Sequence, residues 1–179
     1  GSVGMFHGGA DPDVFEFGQL NVLEGYRRSH LALELSRHIL HKVAVDVGVQ
    51  VLYCEGVCNH AVSQRLAVQE GFMATGLEVE CMPASAYQAQ GAPVVSVSLL
   101  LLFSLRGRRG GLCHLPARYH EVVAEVSTAL GMDCQFSAEG KMGGSTESSV
   151  FTIDEGNLVR LSVPHAGEDF AEVLEQTTA

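Results

Sequence analysis

Arg27, Arg28, Ser29 and His30 stand between an alternating apolar stretch and a long amphipathic one, and a loop of that kind can hold an anion. The first backbone N–H groups of a helix lack partners within it and point outward with the positive end of its dipole, which suits phosphate. On this loop alone the plainer reading, a solvated pair of arginines, outweighs the functional one. Glu55 and Glu78 fall on what the alternation makes neighbouring strands, where a carboxylate can act as general base for an amine, directly or through a water. Strand carboxylates more often face solvent. Cys54, Cys58 and His60 are close enough in sequence to suggest metal ligands, with Cys81 or Cys113 and His114 as completions. Structural zinc sites show paired short spacings, and a single cluster reads better as packed or half-exposed thiols. His114 and His120 flank a helix start beside Tyr119, but no serine or cysteine is placed as an elbow nucleophile, so a nucleophilic triad is unsupported.

The elements that must position these residues follow from periodicity. Residues 1–13 are rich in glycine and read as a mobile lead-in. Val14 to Leu23 alternates as a strand. Ser29 is a candidate N-cap for a helix whose stripe is Leu31, Leu35, Ile39, Leu40 and Val43, ending at Gly48. Val49, Val51 and Tyr53 begin a second strand, Ala61 to Glu70 is a short helix, and Gly71 fits its left-handed stop. Met73 to Cys81 alternates again, and Val94 to Leu105 reads as a strand buried on both faces or in a sheet centre. Arg106 to Gly111 is a basic, glycine-rich linker.

The remainder, residues 112–179, reads as strand, helix, three strands, helix. Pro116 suits the first turn of the helix carrying Tyr119, Val122, Val123, Val126 and Leu130. Cys134 to Ala138 is a strand, and residues 139–145 form a glycine-rich loop. Ser149 to Asp154 and Leu158 to Val163 pair across Glu155-Gly156-Asn157 as a hairpin. After Pro164, Phe170, Val173 and Leu174 mark a final helix.

Composition bounds the rest. The 179 residues are 46% apolar and 18% charged, which is globular, and they allow one ordinary domain or two small ones. Eleven basic against 21 acidic residues, a formal charge of −10, repel nucleic acid at long range. The longest apolar run is about half of what spans a bilayer, so no membrane partner is expected. Five cysteines fit free thiols in a reducing compartment, hence the cytoplasm. Gly1-Ser2 has the look of a cloning remnant, so a fragment of a longer polypeptide is the expectation.

The segments LNVLEGYRRSHLALELSRHIL, VQVLYCEGVCNHAVSQRLAVQEGF and MATGLEVECMP together resemble the carboxyl-terminal half of the GNAT-type N-acyltransferases, over residues 14–105. Gly71-Phe72, followed by Thr75-Gly76-Leu77 and preceded by His60 and Ser63-Gln64, is the most specific part. The resemblance implies an α/β fold with a central mixed sheet flanked by helices. It also implies acetyl-coenzyme A or coenzyme A as ligand, and an amine as acceptor. The residues it assigns to the coenzyme are Val22, Leu23, Arg27, Arg28, Ser29, His30, Leu31, Ala32, His60 and Ser63. In the family, two strands splay to admit the pantetheine arm. Four departures stand beside the matches. His30 occupies a position where glycine is expected, Ala67 falls where a tyrosine often protonates the departing thiolate, His60 falls where an asparagine is common, and no amino-terminal half precedes residue 14. The order of elements in 112–179 matches the front half of such a fold by topology alone, so two half-units either complete one fold or pair between chains, and the uncovered sheet edge points to a homodimer. The alternative is a catalytically silent module for interaction or ligand sensing within a larger regulatory protein.

Overall fold

The computed structural model describes residues 1–7, 11–85, 87, 96–107, 110–140, 143–153 and 158–178. The turn Glu155-Gly156-Asn157, the start of the run at Val94, and Arg108 with Arg109 in the linker lie outside them. The centre is a five-stranded mixed sheet in the order β1-β2-β3-β5-β4, built from β1 (Ser2–His7), β2 (Val14–Asn21), β3 (Val51–Val57), β4 (Met73–Pro83) and β5 (Ser96–Leu105). The segment read as a mobile lead-in therefore supplies an edge strand. Val3 and Met5 alternate onto the core while the backbone pairs antiparallel with β2. Four glycines among the first nine residues hid that pattern.

Between the parallel strands β2 and β3 runs α1 (Leu31–His38), which passes through a π turn at Ile39–Val43 into α2 (Ala44–Val47) and stops at Gly48 with φ 78°. Leu40 and Ala44, four residues apart, share a face and are buried against the sheet, with Ile39 packed beside them. Then α3 (Ala61–Gln69) follows β3 and ends at Gly71, φ 88°, a conformation that L side chains adopt only under strain. Both helical segments cover the same face. Leu40 and Ala44 from one, with Ala67 and Phe72 from the other, enclose Phe17, Leu52, Cys54 and Leu102 from the sheet.

Glu70 ties these two layers together. Its side chain is 4% exposed and is gripped by Arg37 (Nε–Oε1 3.1 Å) and His41 (Nε2–Oε2 2.8 Å) from the long helix. Burial alone would raise its pKa, but the hydrogen bonds and charges of His41 and Arg37 outweigh that and hold it below the usual carboxylate range. A depressed carboxylate stabilises the fold above its unfolded pKa, and that contribution fades as pH falls through the lower folded value. Glu70→Gln is expected to lose about 1–2 kcal/mol at neutral pH, discounted because both partners are half in water. It should also flatten the acid limb of stability below about pH 4, as read from urea midpoints at a series of pH values.

The strands of the second half pair among themselves. β6 (Gly110–His114) and β7 (Asp133–Ser137) are parallel neighbours joined by α4 (His120–Ala129), and β8 (Glu147–Ile153) pairs with β9 (Leu158–His165) before α5 (Phe170–Thr178). Among the described residues none of these strands pairs with the five-stranded sheet. The expected α4 stripe is met in part: Val123, Val126 and Leu130 are half-buried, whereas Tyr119 and Val122 are exposed and Ser127 takes the buried place. At the start of the linker the Arg106 N–H donates to the Gln50 carbonyl (2.8 Å), and its Nε is buried without a hydrogen-bond partner among the described residues.

Candidate functional site

The first two strands of the βαβ unit pair only at one end. Val14 lies beside Val51, Phe15 beside Leu52 and Glu16 beside Tyr53, and there the pairing stops, although β2 runs on to Asn21 and β3 to Val57. Beyond that rung β2 stays with β1 and β3 stays with β5. The sheet therefore forks, and its open end is the carboxyl end of two parallel strands, where α/β sheets take their ligands. Part of the cause is local. β2 carries one extra residue against β1, since Ser2 faces Asn21 while Gly4 faces Gly18, and Gln19 at φ 54° absorbs it. Such a bulge bends the strand that bears it.

At the open end of β2 the chain passes through Val22, the exposed Leu23 and a turn at Glu24–Tyr26 to the exposed residues Arg27, Arg28, Ser29 and His30. Ser29, expected as the N-cap, donates instead to the Tyr26 carbonyl. The N-cap is His30, one residue later, with no side-chain cap bond and with φ 56°. Arg28 is also left-handed at φ 70°. A side chain at such a φ costs about 1–2 kcal/mol, which is why glycine is the residue suited to this place. His30→Gly is accordingly expected to raise stability by about 1 kcal/mol, a gain of about 2–4 °C in Tm, in a thermal melt of the otherwise unaltered chain. Arg27 turns back, and its Nε donates to the Val22 carbonyl at 3.3 Å. The loop is thus held by its own side chains, while the N-termini of Leu31 and Ala32, both half-buried, begin the helix.

Across the fork, His60 is the extended N-cap residue of α3 and Ser63 lies one turn into it. Ser63 precedes the buried Ala67 by four residues and so shares its inward side. Its Oγ is buried without a hydrogen-bond partner among the described residues. Buried hydroxyls are normally paired, and an orphan beside a fork fits a ligand with polar groups along its length. Ala67 itself is 4% exposed in the core and offers no proton to anything. Gln64 closes the base of this wall, its Nε2 donating to the Val57 carbonyl at 2.7 Å.

The face of the sheet opposite the helices gathers a set of titratable groups. Paired residues share a face, so Glu16 on β2, Tyr53 and Glu55 on β3 and Glu78 on β4 lie together there. Glu55 and Glu78 are not on neighbouring strands, as periodicity had suggested. β5 runs between them, with Glu55 opposite Leu101 and Glu78 opposite Leu99. Burial first, then the charges of Glu78 and Glu16, push the Glu55 carboxyl up. Arg160 of β9 reaches this face and pairs with Glu78 (Nη2–Oε2 3.2 Å). Tyr53 stacks on Phe103 (5.6 Å between ring centres), and its phenol is pushed up to about 12 by burial, by Glu16 and Glu55, and by a side-chain hydrogen bond with Glu16. Glu16, Tyr53 and Arg160 were missed by sequence reasoning because their convergence depends on strand register. Cys54 goes the other way into the core, its thiol pushed up to about 12 chiefly by burial, while Cys58 is exposed.

Neither a protein-family model nor a curated protein sequence matches the chain. Solved structures do match part of it. The ribosomal-protein-S18-alanine N-acetyltransferase from Escherichia coli is 17% identical at a TM-score of 0.43, over 52% of this chain and 54% of that one. The IAA acetyltransferase from Bacillus cereus is 16% identical at 0.45, over 53% and 63%, and arylalkylamine N-acetyltransferase 2 from Aedes aegypti is 23% identical at 0.39, over 52% and 43%. The chain spans about half the length of the solved acetyltransferases it matches, and its architecture is a central mixed sheet flanked by helices.

Proposed function

We propose that the chain is an acyl-coenzyme A-dependent N-acyltransferase domain, which passes an acetyl group from acetyl-coenzyme A to an amine. The observation that carries this reading is the parting of β2 and β3 after the Glu16–Tyr53 rung, with a helix N-terminus at the mouth of the gap. In this reading the first amides of α1, at Leu31 and Ala32, take the pyrophosphate, with Arg28 and His30 in the exposed loop beside them. The unpaired side of β2 from Phe17 onward offers backbone groups to the pantetheine amides, and Ser63 and His60 line the opposite wall. The thioester then lies where the strands come together. A strand amide there polarises its carbonyl, and an amine arriving from the face of Glu16, Glu55 and Glu78 attacks directly, without a covalent enzyme intermediate.

A dimer through the uncovered edges β1 and β4, and a cytoplasmic location, belong to the same proposal. No helix among the described residues is long and apolar enough to cross a membrane. The rival reading, a silent module for interaction or sensing, draws on one observation: Ala67 is packed in the core where a proton donor would serve the reaction. Calorimetric titration with coenzyme A separates the two. Saturable binding that weakens about fivefold when Arg27 and Arg28 are both changed to Ala supports the transferase, at roughly 1 kcal/mol for loss of nearby charge. Absence of binding to the unaltered chain favours the silent module.

A further inference from the structure

Two helical segments wall the fork, and both start at its open end. The first leaves β2 there, enters the helix at Leu31 and returns to Val51, which pairs with Val14 at the closed end. The second, α3, leaves β3 at the open end and returns to Met73, which faces Phe103, itself the partner of Tyr53 in the last closed rung. Near the closed end one side chain ties them. Glu70, directly after α3 and 4% exposed, accepts from Arg37 Nε at 3.1 Å and bonds His41 Nε2 at 2.8 Å. Among the described residues, both side-chain hydrogen bonds between the two segments end on this carboxylate. Its partners bracket an irregularity. Arg37 lies in the regular helix and His41 inside the π turn at Ile39–Val43, where the Ala44 N–H reaches back five residues to the Ile39 carbonyl. A π turn is a place where a helix bends, so one carboxylate splints the weak point of the helix and joins it to the opposite wall.

Resting on the transferase reading, we infer that Glu70 is a positioning residue for coenzyme A, which with Arg37 and His41 sets the spacing between the helix start at Leu31 and the wall bearing His60 and Ser63. The lever is long. Leu31 lies roughly 15 Å of helix from His41, so a tilt of about 10° at the π turn displaces the first amides by about 2.5 Å. A misplacement of about 1 Å in a positioned group already costs on the order of a hundredfold in rate. A ligand that must touch both walls binds best when they are held at one spacing beforehand. Charge cannot imitate this role. Coenzyme A is an anion, so loss of a carboxylate would by charge alone favour its binding. At roughly 15 Å, beyond a Debye length of about 8 Å in physiological salt, even that effect is small. Weaker binding on removal of Glu70 is therefore a signature of geometry.

The experiment uses the full chain with Glu70→Ala, His41→Ala and His41→Gln, the last keeping a donor at the level of the imidazole Nε2. Calorimetric titration with coenzyme A, well below each variant's melting temperature, reads affinity. Amide hydrogen exchange over Leu31–His38 without ligand reads the brace. The expected Kd rises about fivefold or more in Glu70→Ala and His41→Ala, and stays within about twofold of the unaltered chain in His41→Gln. The amides of Leu31–His38 exchange faster in Glu70→Ala, while those of β5 change less. A purely structural loss would lower the melting temperature and leave the affinity of the folded chain as it was. Unchanged Kd in Glu70→Ala, or His41→Gln as weak as His41→Ala, overturns the positioning role, and so does unchanged exchange over Leu31–His38. Absence of coenzyme A binding to the unaltered chain overturns the transferase reading instead, an outcome visible before any variant is made, and the exchange measurement still decides whether Glu70 braces the helix.

Discussion

Ala32→Glu is expected to weaken coenzyme A binding by about a hundredfold, close to 3 kcal/mol, while leaving the fold as stable as before or slightly more so. Ala32 is the second residue of α1 and half-buried at the mouth of the fork. A carboxylate in a first helical turn interacts favourably with the dipole, by about 0.3–1 kcal/mol, so the variant should not unfold. The same negative charge stands where the proposal puts a pyrophosphate, and two like charges about 4 Å apart near a protein surface repel by roughly 4 kcal/mol. Opposite signs for stability and affinity make the test specific. Urea denaturation and calorimetric titration of one preparation read both. Equal affinity in the variant would remove the helix N-terminus from the ligand site.

The second large effect is on the fold. Leu102 is fully buried on β5, opposite Cys54 of β3 on one side and Ala74 of β4 on the other, in the cluster with Phe17, Leu40, Leu52 and Phe72. Leu102→Ala removes contacts to both neighbouring strands and to the helices above them. The expected loss is about 3–4 kcal/mol, lowering Tm by about 6–15 °C for a chain of this length. Val150→Ala, in the β8–β9 hairpin where Val150 is 53% exposed, is the control and should change stability by less than about 0.5 kcal/mol. If the control costs as much as the core change, the hairpin is covered by something beyond the chain, and the partition of the core described above fails.

Much of the site's scaffold was legible because it rests on short-range chemistry. A strand ending near residue 23, a helix from about 31 to 47 and another from 61 to 70 follow from periods of 2 and 3.6, and glycines 48 and 71 stop those helices with φ of 78° and 88°. Even His30 could be singled out, since its position calls for a residue without a side chain, and the backbone there is left-handed at φ 56°. Ser29 was assigned as cap because serine commonly serves so. In the folded chain its hydroxyl has a nearer acceptor at Tyr26, and the helix starts one residue on.

What the sequence by itself determined, then, is the succession of elements, their stops, and the loop between a strand and a helix that the candidate site uses, because each depends on residues within a few positions of one another. Strand order and register depend on residues far apart in the chain, and only the tertiary structure decided them. It inserted β5 between Glu55 and Glu78, made a strand of residues 2–7, kept the strands of residues 110–165 out of the central sheet, and let β2 and β3 part just after Glu16 and Tyr53. A one-residue slip in that last pairing would send Glu16 or Tyr53 to the opposite face. The fork and its polar rung therefore exist only once the sheet has formed.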